Sequence, residues 1–297
     1  MKKIFILVTA LFIASCDIDI YKQDGYVEQY VVECFLVAGE PFPQLSLSTT
    51  APIFDTYRFD ERVVSNALVH IYELNETGSR IDHIPYRQSE SPGIYLPVST
   101  QKIVKPGTRY KLEIEGLPDA GVFISSETYV PHSFEFLDIN FDTLAYQGME
   151  QFEVTMTRSF YPGRQNVYIF TNEALDTVRY PLTPLYQSEL SENFAGDSFR
   201  LVSSPILHEG NYRVNMDNTI TIPLPWIMVA YLGPNRITAY AIDDNIYDFY
   251  RSAEVQLGGS TLSPGEIENV IYNIDGGIGI FGSMTGVSTN IYVKPVQ

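Results

Sequence analysis

Pro106-Gly107-Thr108-Arg109-Tyr110-Lys111-Leu112-Glu113-Ile114-Glu115 decides the fold class. Thr108, Tyr110, Leu112 and Ile114 alternate with Arg109, Lys111, Glu113 and Glu115, the period of two that a strand shows when one sheet face is buried and the other is wet. Pro106-Gly107 supplies the turn that precedes it. Working outward, runs of similar character occupy 44–50, 67–74, 121–130, 134–141 and 152–157, separated by turn clusters such as Asn75-Glu76-Thr77-Gly78 and Ser91-Pro92-Gly93. Strands at this spacing without alternating helices predict an all-β fold built of antiparallel sandwiches rather than a parallel α/β sheet.

About 100 residues from Tyr26 complete one immunoglobulin-sized sandwich, so a boundary is expected near Pro131. The expected organisation is a segment 16–25 acting as a tether, a first β-sandwich-like domain over 26–130, and a second β-rich domain over 131–297. In the second half, 167–171, 220–222 and 236–242 read as strands, with a long polar insertion around Leu182 to Asp217. One segment reads as a short helix near the C-terminus, residues 244–256. Ile246, Phe249, Tyr250 and Ala253 recur at three- and four-residue steps after Asp243-Asp244, acids that suit a helix N-terminus.

The composition narrows the function. The 297 residues carry 36 Asp and Glu against 19 Lys and Arg, a net charge of −17, with 45% apolar and 13% aromatic residues. That is a globular composition, and its acidity argues against nucleic-acid binding, which needs clustered cations to neutralise phosphate. Two cysteines allow neither a disulfide framework nor a thiolate zinc cluster.

Met1-Lys2-Lys3 precedes an apolar run, Ile4 to Ile13, and then Ala14-Ser15-Cys16. A charged start, a short apolar core and small residues before a cleavage point make residues 1–15 a signal peptide. The run is well short of the roughly 20 residues that span a bilayer as a helix. Ile13-Ala14-Ser15-Cys16 resembles the bacterial lipobox, so Cys16 is expected to carry the lipid that anchors the chain to a membrane. Each buried methylene adds about 0.8 kcal/mol of membrane affinity, which makes two or three acyl chains an effectively permanent anchor. Cys34 lies in the apolar stretch Tyr30 to Val37 and reads as a small buried hydrophobe.

Gly277-Ile278-Gly279-Ile280-Phe281-Gly282 matches the dinucleotide fingerprint letter for letter, yet only 15 residues follow it, among them the β-like Ile291-Tyr292-Val293. Without a following helix there is no N-terminus to meet a pyrophosphate, so Gly276, Gly277, Gly279 and Gly282 read as a structural glycine motif that permits close backbone approach. His70, His83, His132 and His208 show no metal-ligand spacing. Acidic pairs such as Asp243-Asp244 and Glu266-x-Glu268 are what chance supplies in an acidic chain, and no nucleophile elbow, P-loop or EF-hand loop occurs. No catalytic residue, cofactor or metal is therefore assigned. Most of the 21 tyrosines and 17 phenylalanines are expected to be core or cross-strand pairs. Trp226, in the Pro-rich stretch Leu224-Pro225-Trp226, is the candidate platform for a ligand such as a sugar.

The lipobox, Tyr30-Val31-Val32-Glu33, Asn66-Ala67-Leu68-Val69-His70-Ile71, Pro106-Gly107-Thr108-Arg109-Tyr110-Lys111-Leu112 and the closing Asn273-Ile274-Asp275-Gly276-Gly277-Ile278-Gly279-Ile280-Phe281-Gly282 together resemble the Bacteroidota lipoproteins grouped as domain of unknown function 4249. The closing motif is the most specific. The resemblance spans nearly the whole mature chain, more loosely over 140–220, and it brings no catalytic residues with it. It implies an outer-membrane location, on the periplasmic face or the cell surface, beside TonB-dependent receptor β-barrels, where the chain would capture a nutrient or support a transporter. The first domain also resembles the small sandwich of carboxypeptidase regulatory-like modules. Asp142-Thr143-Leu144 and Asp176-Thr177-Val178 are similar to the O-glycosylation signal of that phylum, which makes Thr143 and Thr177 expected acceptors.

Three classes of function compete. An enzyme needs activated groups in a defined site, and no spacing supplies them, so the chain is expected not to be an enzyme. A structural or adhesive surface protein fits the composition, and a glycan-acting hydrolase fits it less well. A binding or accessory module for a TonB-dependent transporter, taking a glycan or peptide ligand, needs only a rigid β scaffold with variable loops, and 182–217 is the expected surface.

Overall fold

The computed structural model describes residues 26–52, 55–119, 121–139, 143–148, 152–189, 196–256 and 269–295. The expected signal peptide, Cys16, the expected tether and Glu266-x-Glu268 lie outside the described residues. The first half contains β1 (Tyr30–Val37), β2 (Leu45–Thr49), β3 (Leu68–Leu74), β4 (Arg80–Gln88), β5 (Ile94–Pro97), β6 (Arg109–Glu115) and β7 (Ile124–Tyr129). The second contains β8 (Phe136–Ile139), β9 (Thr143–Ala145), β10 (Glu153–Met156), β11 (Val167–Ala174), β12 (Leu201–Ser203), β13 (Leu207–His208), β14 (Arg213–Val214), β15 (Ile220–Pro223), β16 (Gly233–Ile242) and β17 (Ile278–Lys294). Helices are few: α1 (Phe59–Arg62), α2 (Pro184–Glu189) and α3 (Asp244–Glu254). The chain is mostly β and sandwich-like, as the period-two runs predict.

One sheet runs β12-β11-β16-β17-β1-β2-β5-β4-β3-β6-β7, with β13 also on β11 and β9 also on β17. A second, antiparallel sheet runs β14-β15-β10-β8. Pairing in the large sheet is antiparallel except where β17 lies parallel to β1 and to β9. Those parallel pairings depart from an all-antiparallel expectation, and they arise because β17 returns from the far end of the sequence into the middle of the sheet. Its first part, Ile278 to Met284, pairs with β1. Its remainder, Met284 to Val293, pairs with β16. At about 3.3 Å per residue this 17-residue strand is long enough to run through both halves of the molecule.

Two cores follow from this arrangement. The first packs Val32, Leu47, Ile71, Tyr95, Tyr110 and Leu112 together with Phe281 and Ile274, so the unit expected over 26–130 is completed by residues from the C-terminal segment. The second lies between the sheets, with Phe152, Val154, Phe170, Ile222, Ile237 and Ile291 among its members. Full burial of a side chain such as Phe281 contributes about 1.5–3 kcal/mol, so β17 stabilises both cores at once. Glu113, expected on the wet face of β6, is instead buried, and Arg80 and Lys111 pair with it.

Cys34 is 1% exposed, and burial pushes its thiol up to about 12, which leaves it a packing residue. The glycine motif works by close approach. A Cβ on Gly279, whose φ is +107°, would stand 2.1 Å from the Val32 carbonyl oxygen, and one on Gly276 would stand 2.3 Å from that of Phe123. Asn273 braces the same loop, with Nδ2 donating to Ser126 Oγ at 2.8 Å and Oδ1 accepting from Phe281 N–H at 3.0 Å. The strand continues directly through Gly282, so no helix N-terminus is available for a pyrophosphate.

Candidate functional site

Helix α3 starts where β16 ends. Asp243 caps it, Oδ1 accepting from Ile246 N–H at 2.8 Å, and the same carboxylate accepts from Ser283 N–H at 3.0 Å and from the Thr128 hydroxyl. One side chain thus ties α3 to β17 and to β7. Burial drives the Asp243 carboxyl up to about 7 despite these donors. The neighbouring Asp244 faces elsewhere and pairs with Arg164, whose guanidinium also lies over the Tyr161 ring at 4.1 Å and donates to the Ile242 carbonyl. The two carboxylates are structural fixtures, and they do not face each other across a cleft.

The last glycine of the motif seats the helix. A Cβ on Gly282 would come within 2.5 Å of Ile246 Cγ1, so only glycine lets α3 press this closely onto β17. Ile246 joins Val167, Ile242 and Ile280 in a small third core on the outer face of the sheet, with Phe35, Ile169 and Met284 packed against it.

Alternation along β16 divides its side chains between the faces. Ile237, Ala239 and Ala241 point into the second core, while Arg236, Thr238, Tyr240 and Ile242 point outward. On β11, Phe170 is in the core, whereas Ile169, Thr171 and Glu173 line the outer face. The Tyr240 ring lies across Gly286 of β17, where a Cβ would meet Tyr240 Cε1 at 2.8 Å.

These outward residues form a groove with two contiguous compartments. Next to α3 a cavity of about 350 Å³ is walled by Phe35, Ile169, Ile242, Ile246, Tyr250 and Met284. Past Thr171 and Tyr240, which border both, a depression of about 570 Å³ is lined by Glu173, Ser198, Arg200, Arg236, Thr238 and Ser288. At that end Glu173 sits between two guanidiniums, 3.1 Å from Arg200 and 3.8 Å from Arg236. One carboxylate for two arginines leaves local positive charge on a chain whose net charge is −17. A depression of about 640 Å³ along Arg87 to Ser91 has only Ile94 and Leu96 as large apolar walls, and so offers little to bury a ligand.

Trp226 is half-buried in a short 3₁₀ turn, its indole against Tyr146 and Phe152 at ring separations of 5.6 and 6.0 Å. It covers the second core and is not a free-standing platform; the prolines around it form a tight turn over that core. Thr143 is exposed on β9, and Thr177 is half-buried in a turn whose Asp176 side chain accepts from Val178 and Arg179 N–H. The 182–217 segment is more structured than a polar insertion suggests. It supplies β12, β13 and β14, and Glu209, 1% exposed, which takes a bidentate bond from Arg158 and others from Asn166. Its contribution to the groove is Ser198, Arg200, Leu201 and Ser203.

His70 and His83 meet across the β3–β4 hairpin, Nε2 of His83 lying 3.0 Å from Nδ1 of His70. Sequence spacing missed this pair because cross-strand register, not helical repeat, brings it together. Among the described residues no group of three or more His, Cys, Asp or Glu side chains converges as metal ligands would. No helix among them is long and apolar enough to cross a membrane.

Fold and groove together define the class: a β-sandwich scaffold with an open, two-ended groove on the outer face of its main sheet. The family model described as domain of unknown function (DUF4249) matches residues 14–290, and the chain belongs to that family. No curated protein matches the sequence. Among solved structures, trypsin-activated α2-macroglobulin from Escherichia coli aligns at 8% identity and a TM-score of 0.24, over 90% of this chain and 16% of that one. Immunoglobulin domains 1–5 of Sidekick-1 align at 11% identity and a TM-score of 0.19, over 93% and 41%. The three N-terminal domains of the highly immunogenic outer capsid protein of bacteriophage RB49 align at 9% and 0.21, over 91% and 71%. The chain thus spans about a sixth of the macroglobulin, and at these scores the alignments carry no argument about its activity.

Proposed function

We propose that the chain is a lipid-anchored binding module of the outer membrane that serves a TonB-dependent transporter, either by holding cargo or by docking on the receptor. The observation that carries the binding part is the groove on the outer face of β11, β16 and β17, apolar under α3 and positively charged at Arg200 and Arg236. Convergence of a few polar groups beside an apolar floor is how a scaffold orients a ligand without transforming it. The membrane part rests on the lipobox ending at Cys16, and the transporter part on the family resemblance. The buried carboxylates Asp243 and Glu209 have their bonding capacity taken up by structural donors, which supports binding over hydrolysis.

Affinity purification of the tagged lipoprotein from its native outer membrane tests this reading. Co-purification of a large β-barrel is the expected result. A chain that emerges alone and hydrolyses a glycan, with activity lost on changing one carboxylate pair, would replace it with an enzyme.

A further inference from the structure

We propose that the groove binds a short extended peptide with a free carboxyl terminus, its carboxylate at Arg200 and Arg236 and an apolar side chain under α3. This deepens the binding-module reading and rests on it. Polarity sets the direction: Phe35, Ile242, Ile246 and Met284 wall one end without a charge, and the other end carries two guanidiniums that share Glu173. Arg200 and Arg236 are half-exposed, with side-chain exposures of 58% and 48%, so their outer donors remain open to an incoming anion. A carboxylate held this way gains charge-assisted bonds that an amide does not.

Length follows from the strand. From Ile242 to Arg236 along β16 the groove extends about 20 Å at some 3.3 Å per residue, the reach of five or six extended residues. The middle of the groove selects a peptide over an alkyl chain. The hydroxyls of Thr171, Ser203 and Tyr240 line it and make no hydrogen bond within the described protein, whereas Thr238 and Ser288 bond each other at 2.9 Å. Peptide N–H and C=O groups would satisfy the free hydroxyls. A polymethylene chain would cover them unbonded and leave their desolvation uncompensated.

The test is calorimetric titration of the whole lipoprotein, reconstituted in lipid nanodiscs, with empty nanodiscs as the blank. Three probes are used: an N-acetylated pentapeptide of alternating leucine and threonine as the free acid, the same peptide as its carboxamide, and laurate. The free acid should bind one to one, about tenfold more tightly than the carboxamide. The double variant Arg200→Gln, Arg236→Gln should bind acid and amide alike, and Tyr250→Ser should weaken both, all three positions being exposed enough to leave the fold intact. Equal binding of acid and amide by the wild type overturns the proposal, as does an acid preference that survives in the double variant, or binding of laurate but not peptide. Absence of peptide binding in a preparation that still brings down a β-barrel overturns the groove assignment alone and leaves the transporter reading standing.

Discussion

Ser283 N–H donates to Asp243 Oδ2 at 3.0 Å while the Asp243 N–H donates back to the Ser283 carbonyl at 3.0 Å. This reciprocal pair joins the end of β16 to the point on β17 where the strand passes from the first core to the second. Thr128 adds a donor from β7, so a single buried carboxyl links both halves of the molecule and the groove helix.

That carboxyl gives the protein a pH dependence with a definite sign. Its folded value is raised to about 7 from about 4 in an unfolded chain, so between these pH values the folded state holds a proton that the unfolded state has released. Its contribution to stability is fully present below about pH 4 and lost as pH rises through 7, on the order of a few kcal/mol. Denaturant melts of the wild type and Asp243→Asn at pH 4.5 and 7.5 measure it. The variant should show a flatter profile, and an unchanged slope would show that Asp243 is ionised throughout.

Glu209 has the opposite sign. Burial pushes its carboxyl up, but the Arg158 and Asn166 bonds outweigh that and hold it below the usual range. Its contribution is present above the unfolded value and lost as pH falls through the lower, folded one. Glu209→Gln leaves the part-exposed Arg158 without its carboxylate, and a loss of about 1–2 kcal/mol is expected at pH 7, since solvent reaches the arginine that remains. Thermal melts should show that loss shrinking in strong acid.

The glycine motif makes a sharp comparison. Gly279→Ala places a methyl group 2.1 Å from the Val32 carbonyl oxygen at φ +107°, whereas Gly39→Ala, at φ +82°, meets nothing within 4 Å. The second should cost about 1–2 kcal/mol from backbone conformation alone. The first should cost several kcal/mol or prevent folding, because β1 and β17 would have to separate. Similar melting temperatures for the two would contradict the close approach.

The cysteines separate cleanly. Cys16→Ser should abolish incorporation of labelled palmitate and release the chain from membranes or leave it unprocessed. Cys34, buried and with its thiol pushed up to about 12, should react with iodoacetamide only after unfolding. Rapid labelling of folded Cys16→Ser protein, whose one thiol is Cys34, would disprove the burial.

Much of this architecture is legible along the chain. Period-two alternation marks residues 109–115, and helix 244–254 is announced by its apolar spacing and by the capping acid before it. The glycine motif declares close approach, although the sequence does not say to what. Hidden from local reading are long-range pairings. Nothing near Ile278 indicates that β1 lies beside it, and Trp226 looks exposed because prolines surround it, yet it is half-buried and packs on Tyr146 and Phe152 over the second core. The groove is hidden for the same reason. In β16 the small Ala239 and Ala241 face the core and the larger Arg236, Tyr240 and Ile242 face out, but size alternation alone does not reveal that five strands and a helix bring such residues together.

Hydrogen–deuterium exchange of the whole protein, with and without the free-acid pentapeptide, tests most directly whether the chain is a binding module with its site on this face. Slowed exchange should appear in 167–174, 233–242 and 244–254, the strands and helix that wall the groove. Protection confined to the loops of the first sandwich, with those three segments unchanged at saturating peptide, would contradict it.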